Sequence, residues 1–504
     1  MMLAWTIYIS FLGALLLLLL PKGNAAPARF LALLTSLVTF VITLVSFLQH
    51  RTGEMFTVTD VSWIPSLGIR YHLAADGISL VLLLLTGIIA VTGILFSWNI
   101  EHRTKEFFAF YLLLIGSVYG VFLSYDLLLL FVFYEIVIIP KYFLIAIWGS
   151  TRREYGAMKL VLYSFIGSAM VLIGLIAAYV VAGAKTMALD DLAGFPFSPH
   201  FQMWAFPLVF VGFAILAGLW PFHTWAPTGH VAAPTAASML LAGVVMKLGA
   251  YGCLRVAMTL FPLGLGPWGF HVLGLGSWRD VFAVLAVIGI VYGAMVALVQ
   301  KDFKFVIGYS SVSHMGFILL GLMTLNQIGL SGAVVQMFSH GVLAGLLFAV
   351  VGRMVYDRTH TRELAPLGPM NLNKAIPFAA VTFVVAGMAS MGLPGFSGFV
   401  AELMIVIGVW HSYPILTVCV GLGLVVGVAY IWRAMQKAFF VETGHAPAAP
   451  HAPLPPITLP ERLGAIILIA ASVIVGLYPQ MLLNIIVPAL NSPLFHGLRQ
   501  GGWR

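Results

Sequence analysis

The stretch FAILAGLWPFHTWAPTGHVAAP, residues 213–234, begins as an apolar helix and is then interrupted by three prolines and two histidines. Proline ends or kinks a helix because it lacks the backbone N–H that the helix uses. Within a lipid bilayer, irregular backbone is tolerated only where it is buried in protein or lines a water-filled cavity. The stretch therefore predicts a broken helix inside a membrane-spanning segment.

The composition predicts an all-α integral membrane protein. Of the 504 residues, 61% are hydrophobic and only 8% are charged, whereas soluble domains carry roughly 25% charged residues. Runs of about 20 apolar residues, long enough to cross a ~30 Å hydrocarbon core, recur along the chain. The first run, residues 3–20, lacks the positively charged flank and the small-residue cleavage site of a signal peptide, so we interpret it as the first helix.

The hydrophobic runs predict about fourteen transmembrane helices, with polar connections at 49–76, 183–203, 353–375 and 442–460. The helices are expected near residues 3–20, 29–48, 77–98, 107–124, 126–148, 158–182, 204–225, 233–260, 280–299, 304–323, 330–352, 376–408, 412–436 and 461–485. Most loop lysines and arginines fall in alternate loops, which the positive-inside rule places in the cytoplasm. Both termini are therefore predicted on the non-cytoplasmic side.

Two similar interruptions, GLWPF at 218–222 and GLPGF at 392–396, suggest an internal repeat. If each interrupts the fourth helix of a five-helix unit, the odd number of helices inverts the second unit relative to the first, as in many transporters. The helix-breaking residues are Gly218, Pro221, Pro394 and Gly395. The predicted organisation is helices 1–3 at 1–106, a first inverted repeat at 107–260 with helix 7 broken, a second at 280–440 with helix 12 broken, and helix 14 with the tail at 461–504.

The sequence argues against several classes of function. Cys253 and Cys419 both lie inside apolar runs without a CxxC motif, so neither an iron–sulfur cluster nor a zinc site is predicted. No glycine-rich nucleotide fingerprint stands at a strand–helix junction. The formal net charge of +8 comes from loop residues, and no basic run is interleaved with aromatic residues. The expected surroundings are therefore the lipid bilayer, without a nucleic-acid partner.

Five titratable residues lie deep inside apolar segments: Glu135, Lys247, His314, His340 and Glu402. A charge at the bilayer centre costs about 2.5–3.5 kcal/mol, and alanine or leucine would pack there at lower cost. One interpretation is that these groups satisfy backbone breaks or join helices. The other, which we favour for the three charged residues, is a row of groups that passes protons through the membrane, since buried titratable groups can exchange protons near neutral pH.

Several long motifs resemble those of one known family. FYEIVIIPKYFLIAIWG, PFHTWAPTGHVAAPTAASMLLAGVVMKLGAYG, QKDFKFVIGYSSVSHMGF, QMFSHG and LPGFSGFVAEL are similar to the antiporter-like subunit M family of NADH–quinone oxidoreductase, respiratory complex I. The similarity runs from about residue 75 to residue 485 and implies the fourteen-helix, inverted-repeat fold. It also implies that Glu135 is a charge switch, Lys247 the central proton holder, His314 and His340 relays, and Glu402 the exit group.

One position departs from the family pattern. The resemblance implies a lysine before the break in helix seven, and Leu216 stands there instead. Three interpretations stay open: Lys141 replaces the missing lysine, water and His223 bridge the gap, or this copy does not pump. For Lys141 we favour a side chain that extends to the cytoplasmic interface. Lys159 and Lys304 also match family positions near the cytoplasmic edge, where such an extension or an ion pair explains them as well as proton entry does.

The resemblance implies a proton-translocating membrane subunit of a complex I-type NADH:quinone oxidoreductase, in the bacterial inner membrane. We expect no cofactor or metal in this chain, with NADH, flavin, iron–sulfur centres and quinone in partner subunits. Other membrane-arm subunits, among them neighbouring antiporter-like subunits, are the expected partners. Two alternatives remain: a subunit of an Mrp-type cation/proton antiporter, and a structural copy of subunit M that does not pump because it lacks the helix-seven lysine.

Overall fold

The computed structural model describes residues 2–21, 25–272, 274–441 and 454–500, and most of them are helical. The helices and strands are α1 (Ala4–Leu19), α2 (Ala25–Gln49), β1 (Phe56–Ile64), β2 (Ile69–Ala75), α3 (Gly77–Phe96), α4 (Thr104–Leu123), α5 (Leu127–Trp148), α6 (Arg153–Val181), α7 (Pro199–Ala217), α8 (Trp225–Ala232), α9 (Thr235–Leu260), β3 (Pro267–Val272), β4 (Leu275–Ser277), α10 (Trp278–Val299), α11 (Phe303–Met323), α12 (Gln327–Thr359), α13 (Pro377–Ser390), α14 (Ser397–Ser412), α15 (Pro414–Phe439), α16 (Leu459–Leu477) and α17 (Gln480–Leu490). Shorter helical turns lie at Leu189–Ala193, Leu364–Leu367, Leu372–Ala375 and His496–Gln500.

Twelve helical spans in the described part of the chain are long and apolar enough to cross a membrane, or thirteen if the bent pair Gln480–Leu490 and Pro493–Arg499 counts as one span. The predicted all-α integral membrane class is therefore confirmed. The predicted helices at 3–20 and 376–408 correspond to the shorter apolar helices α1, α13 and α14, which fall below the length of a single straight span. The total of fourteen stays a prediction.

The first interruption follows α7. The helix ends at Ala217, and Gly218 takes the left-handed conformation at φ +84° that favours glycine. Leu219 N–H donates to the carbonyl of Ala214 over 3.0 Å, which satisfies a carbonyl at the end of the helix. A cis Trp220–Pro221 peptide and a 3-10 turn then lead to α8.

The second interruption, after α13, has the same local geometry. Gly392 stands at φ +77°, and Leu393 N–H donates to the carbonyl of Met388 over 3.1 Å. The N–H groups of Gly392 and Leu393 therefore donate to carbonyls at the same relative positions as those of Gly218 and Leu219. This match supports the internal repeat, which itself stays a prediction together with the domain boundaries.

Three of the predicted segments differ in the structure. The helix predicted at 461–485 was wrong as one helix: α16 ends at Leu477 and α17 begins at Gln480, because Pro479 cannot donate the hydrogen bond that would continue α16. The connection at 49–76 contains an antiparallel hairpin in which Phe56 faces Ala75 and Ile64 faces Ile69. The connection at 183–203 contains the turn Leu189–Ala193. Residues 442–453 of the predicted linker and the tail residues 501–504 lie outside the described residues.

Three helices, α3, α9 and α12, form the centre of the bundle. The most apolar window of each is 100% buried, whereas the corresponding windows of α15 and α16 are 22% and 33% buried. A helix that is apolar all round is expected to be surrounded on every side. Since α9 carries Lys247 and α12 carries His340, two of the predicted titratable residues lie at the centre of the molecule.

A buried ion pair joins two of these central helices. The guanidinium of Arg255, in α9, contacts the Asp76 carboxylate over 2.5 Å, and both side chains are at most 1% exposed. Asp76 also caps α3 by accepting the N–H of Ser79. Arg255 donates to the hydroxyl of Tyr125 over 2.9 Å. One carboxylate thus balances the charge of a buried cation and accepts a hydrogen bond from a backbone N–H at the start of a helix.

Replacing Asp76 should therefore destabilise the protein strongly. We expect Asp76→Ala to lower the free energy of unfolding by about 3–5 kcal/mol, because it leaves the Arg255 guanidinium buried without a counter-charge. Thermal unfolding of the purified protein measures the effect. Asp60→Ala, which breaks the exposed pair with Arg70, is the control and should cost at most about 1 kcal/mol. Equal costs for the two variants would contradict the assignment.

Candidate functional site

The buried lysine Lys247 forms the centre of the site. Its side chain is 0% exposed, and its ammonium lies 2.9 Å from Nδ1 of His340. The ammonium also donates to the backbone carbonyl of Ala242. A π-helical turn at Leu241–Val245 immediately precedes Lys247 in α9, and such turns are frequent at functional sites. The structure therefore gives this buried cation two polar partners.

Two histidines and a glutamate continue from Lys247 in one direction. The rings of His340 and His314 are stacked with their centroids 5.4 Å apart. Nδ1 of His314 lies 3.3 Å from Oε1 of Glu402. All three side chains are buried, at 4%, 8% and 6% exposure. The four residues predicted from the sequence on α9, α11, α12 and α14 thus form one continuous row, which we call the central row.

Neutral polar groups hold the far end of the central row. Nε2 of His314 lies 3.2 Å from the hydroxyl of Ser390, and its Nδ1 lies 3.3 Å from the amide nitrogen of Gln336. A side chain at Gly392 would meet Oε2 of Glu402 at 2.9 Å, so the second interruption leaves room for the carboxylate. His314, His340, Ser390 and Glu402 also line a small cavity of about 10 Å³.

A second approach to Lys247 starts from Lys304 at the beginning of α11. Lys304 is 2% exposed, and its ammonium donates to the carbonyl of Ala233 over 2.9 Å. It lines a cavity of about 260 Å³, open at the surface, together with Glu101 and Asp357. The side chain is therefore buried beside a cavity and does not extend outward to the surface.

The sequence did not single out His230, which is near enough to Lys304 and Lys247 to interact with both. His230 belongs to α8 and is 0% exposed, and neither ring nitrogen has a hydrogen-bond partner among the described residues. It interacts electrostatically with Lys304 and Lys247, and also with His340. The sequence feature that could have identified His230 is its position in the same proline-rich interruption as His223.

The remaining residues of the first interruption contact α6. Lys159 lies 3.5 Å from the hydroxyl of Thr228, and the hydroxyl of Tyr163 lies 2.9 Å from that of Thr224. His223 is 2% exposed and packs edge-to-face on Tyr292. These contacts hold α6 and α10 against the 3-10 turn and α8.

Glu135 and Lys141 lie in α5, apart from the central row. Glu135 is partly exposed, and its Oε1 has no hydrogen-bond partner among the described residues. The prediction that Lys141 extends to the interface is wrong: the side chain is 1% exposed, and its ammonium lies 3.4 Å from the hydroxyl of Ser164. The Ser164 hydroxyl of α6 gives the ammonium a polar contact inside the protein. Leu216, at the end of α7, is buried at 2% exposure.

No group of three or more His, Cys, Asp or Glu residues in the described part of the chain is arranged to hold a metal ion. The site consists of titratable side chains, hydroxyls and backbone carbonyls. Such a set can accept, hold and release protons.

The chain is similar in sequence to a family of membrane subunits and to several of its members. Residues 124–427 match the family described as NADH:quinone oxidoreductase/Mrp antiporter, TM. The chain is 35% identical to NADH-quinone oxidoreductase subunit M of Rhodobacter capsulatus, over 93% of this chain and 91% of that protein. It is also 35% identical to subunit M of Escherichia coli K12, over 96% of each.

Solved structures of whole complexes contain chains with the same fold. A chain of respiratory complex I from Thermus thermophilus matches with a TM-score of 0.86 and 27% identity, over 98% of this chain and 99% of that one. A chain of the Mrp complex from Dietzia sp. DQ12-45-1b matches with a TM-score of 0.82 and 22% identity, over 98% of each. At that identity the second likeness shows the fold alone.

The contact between Lys247 and His340 predicts a coupled effect on stability. We expect His340→Leu to cost about 1–3 kcal/mol of unfolding free energy, because it removes one of the two polar partners of a buried ammonium. The double variant Lys247→Leu/His340→Leu should recover much of that loss, since both polar groups are then gone. Thermal unfolding of the four forms measures the coupling.

His200→Leu, at an exposed histidine of α7, is the control and should change stability little. If the losses of the two single variants simply add in the double variant, Lys247 and His340 are not coupled.

Proposed function

The chain belongs to the NADH:quinone oxidoreductase/Mrp antiporter family of membrane subunits, and from this membership we propose that it translocates protons as subunit M of a complex I-type NADH:quinone oxidoreductase. Its relatives with the names subunit M and chain 4 support this choice. We place it in the bacterial inner membrane, with both termini on the non-cytoplasmic side. The finer fold is fourteen spans in two inverted five-helix repeats, each with one broken helix.

The central row carries the proposal. Lys247, His340, His314 and Glu402 follow one another at hydrogen-bonding or ring-stacking distance through the buried centre of the bundle. A bilayer-spanning protein tolerates such groups at a cost of about 2.5–3.5 kcal/mol for each charge. Histidines titrate near neutral pH and can pass a proton from one nitrogen to the other. The row is therefore suited to moving protons sideways through the membrane.

The proposed path enters from the cavity beside Lys304 and passes His230 to reach Lys247. Lys247 holds the proton, His340 and His314 relay it, and Glu402 releases it. Glu135 acts as a charge switch at the edge that faces a neighbouring subunit. A change of charge at one member alters the proton affinity of the next, because opposite charges favour and like charges disfavour ionisation.

Electron transfer takes place elsewhere in this proposal. NADH, flavin, iron–sulfur centres and quinone are held by partner subunits, and this chain converts their reaction into proton movement through charge. The partners are the other membrane-arm subunits, including neighbouring antiporter-like subunits. The coupling is electrostatic, so the chain needs no redox centre of its own.

Two alternatives have distinct signatures. An Mrp-type cation/proton antiporter subunit shares the fold. Its gene would lie among the genes of small antiporter subunits and not beside those of quinone-reductase subunits. A non-pumping copy is suggested by Leu216 alone. The continuous central row favours a pumping subunit over that copy.

Replacing Glu402 tests the release end of the path. We expect Glu402→Ala to lower the number of protons translocated per electron pair in membrane vesicles while the complex still assembles, because the row loses its terminal acid. Glu363→Ala, at an exposed acid between α12 and α13, is the control and should pump as the parent does. An unchanged ratio for Glu402→Ala would refute the assigned role.

A further inference from the structure

The buried lysine of α5 has no place in the path described above. Lys141 is among the largest fully buried side chains of the described residues. Its ammonium contacts the Ser164 hydroxyl of α6 over 3.4 Å. One neutral hydroxyl compensates poorly for a buried cation, since buried charges normally have a counter-charge or several hydrogen bonds. A second partner is therefore required.

Glu135, on the same helix, is the acid that acts electrostatically on Lys141, although its carboxylate and the ammonium do not form a direct ion pair. The carboxylate of Glu135 and the ammonium of Lys141 interact electrostatically, and the carboxylate also interacts with the hydroxyl of Ser168. Ser164 and Ser168 are one turn apart on α6, so they lie on the same face. That face of α6 thus lies opposite both Glu135 and Lys141 of α5.

The helix is irregular between Glu135 and Lys141. In a regular helix, residues six apart lie about 9 Å apart along the axis and on different faces. Here α5 is irregular at Val137, where one helical stretch ends at Ile136 and the next begins at Ile138. Pro140 also lacks the N–H that would bond the carbonyl of Ile136. The long side chain of Lys141 then extends to the shared face of α6.

The Lys141 ammonium lies level with Leu216. The contacts of Gly174 with Val209 and of Gly167 with Gly212 show that α6 and α7 run antiparallel. Ser164, three residues before Gly167, is therefore level with Leu216, four residues after Gly212. The α5 lysine brings a charge to the height at which α7 carries only an apolar side chain.

The end of α7 also touches the helix of Lys247. A side chain added at Gly249, two residues after Lys247, would meet the backbone of Leu216 and Ala217 at 3.0 Å and 2.5 Å. Among its residues 199–217, α7 carries no lysine or arginine. A cation that serves this junction must come from another helix, and Lys141 lies at the same level on α5.

We propose that Lys141 is the proton-holding partner of Glu135 in this chain and passes its proton toward Lys247, a role that rests on the proposed function. When Glu135 gains a proton, its negative charge is lost and the Lys141 ammonium is no longer balanced. The ammonium then releases one proton from Nζ and becomes a neutral amine. That proton travels through the Ser164 hydroxyl and water to the neutral amine of Lys247. No electron moves in this step.

The test compares variants of the assembled complex in membrane vesicles, with proton pumping measured against electron transfer. We expect Lys141→Met to lower pumping by roughly tenfold, the lower end of the effect of removing a proton-transfer group. Lys141→Arg should be equally impaired, since a guanidinium keeps its charge and does not release a proton. The double variant Lys141→Met/Leu216→Lys should recover most of the pumping, because the lysine returns at the same level on α7.

Three further results make the test decisive. Lys374→Met, at an exposed lysine, is the control and should pump normally. Full pumping by Lys141→Arg would show that only the charge matters and would overturn the proposal, and this variant decides the matter if Lys141→Met does not assemble. If Lys247→Met stops pumping while Lys141→Met pumps normally, Lys141 has no such role and the proposed function stands. If both pump normally, the proposed function fails as well.

Discussion

The structure depends on how one ammonium group is accommodated in the middle of a membrane protein. Lys247 is fully buried, and its partners are a backbone carbonyl in a π-helical turn and a histidine of the neighbouring central helix. A buried cation of this kind is stable only if nearby groups accept its hydrogen bonds. The π-helical turn in α9, the position of α12 and the stacked histidines all serve this requirement.

The two interruptions supply the space and the polar groups at the two ends of the row. After α7, the left-handed Gly218 turns the chain into α8, which brings His230 near enough to Lys304 and Lys247 to interact with both. After α13, Gly392 leaves room for the carboxylate of Glu402. Because both glycines are followed by the same hydrogen-bond pattern, the same backbone turn ends the helix at both interruptions.

The sequence predicted the helices and the central row well, since both have strong signals. Long apolar runs mark the spans, and Lys247, His314, His340 and Glu402 stand out in segments that otherwise contain few polar residues. The hairpin β1–β2 was missed because the segment 49–76 is polar overall, although FTVTDVSWI alternates between apolar and polar residues. Lys141 was misplaced because a sequence does not show which face of α6 lies opposite. His230 was overlooked for the same reason: its importance comes from the two lysines that the fold places around it.

The most direct measurement is an electron cryo-microscopy map of the assembled complex in which ordered water is visible. A proton path predicts ordered water between the cavity at Lys304 and Lys247, and between the pair Glu135–Lys141 and Lys247. It also predicts that water or direct hydrogen bonds connect every step from Lys247 to Glu402. A dry apolar gap on both sides of Lys247, with the row isolated from either surface, would contradict the account and leave these residues as a means of holding helices together.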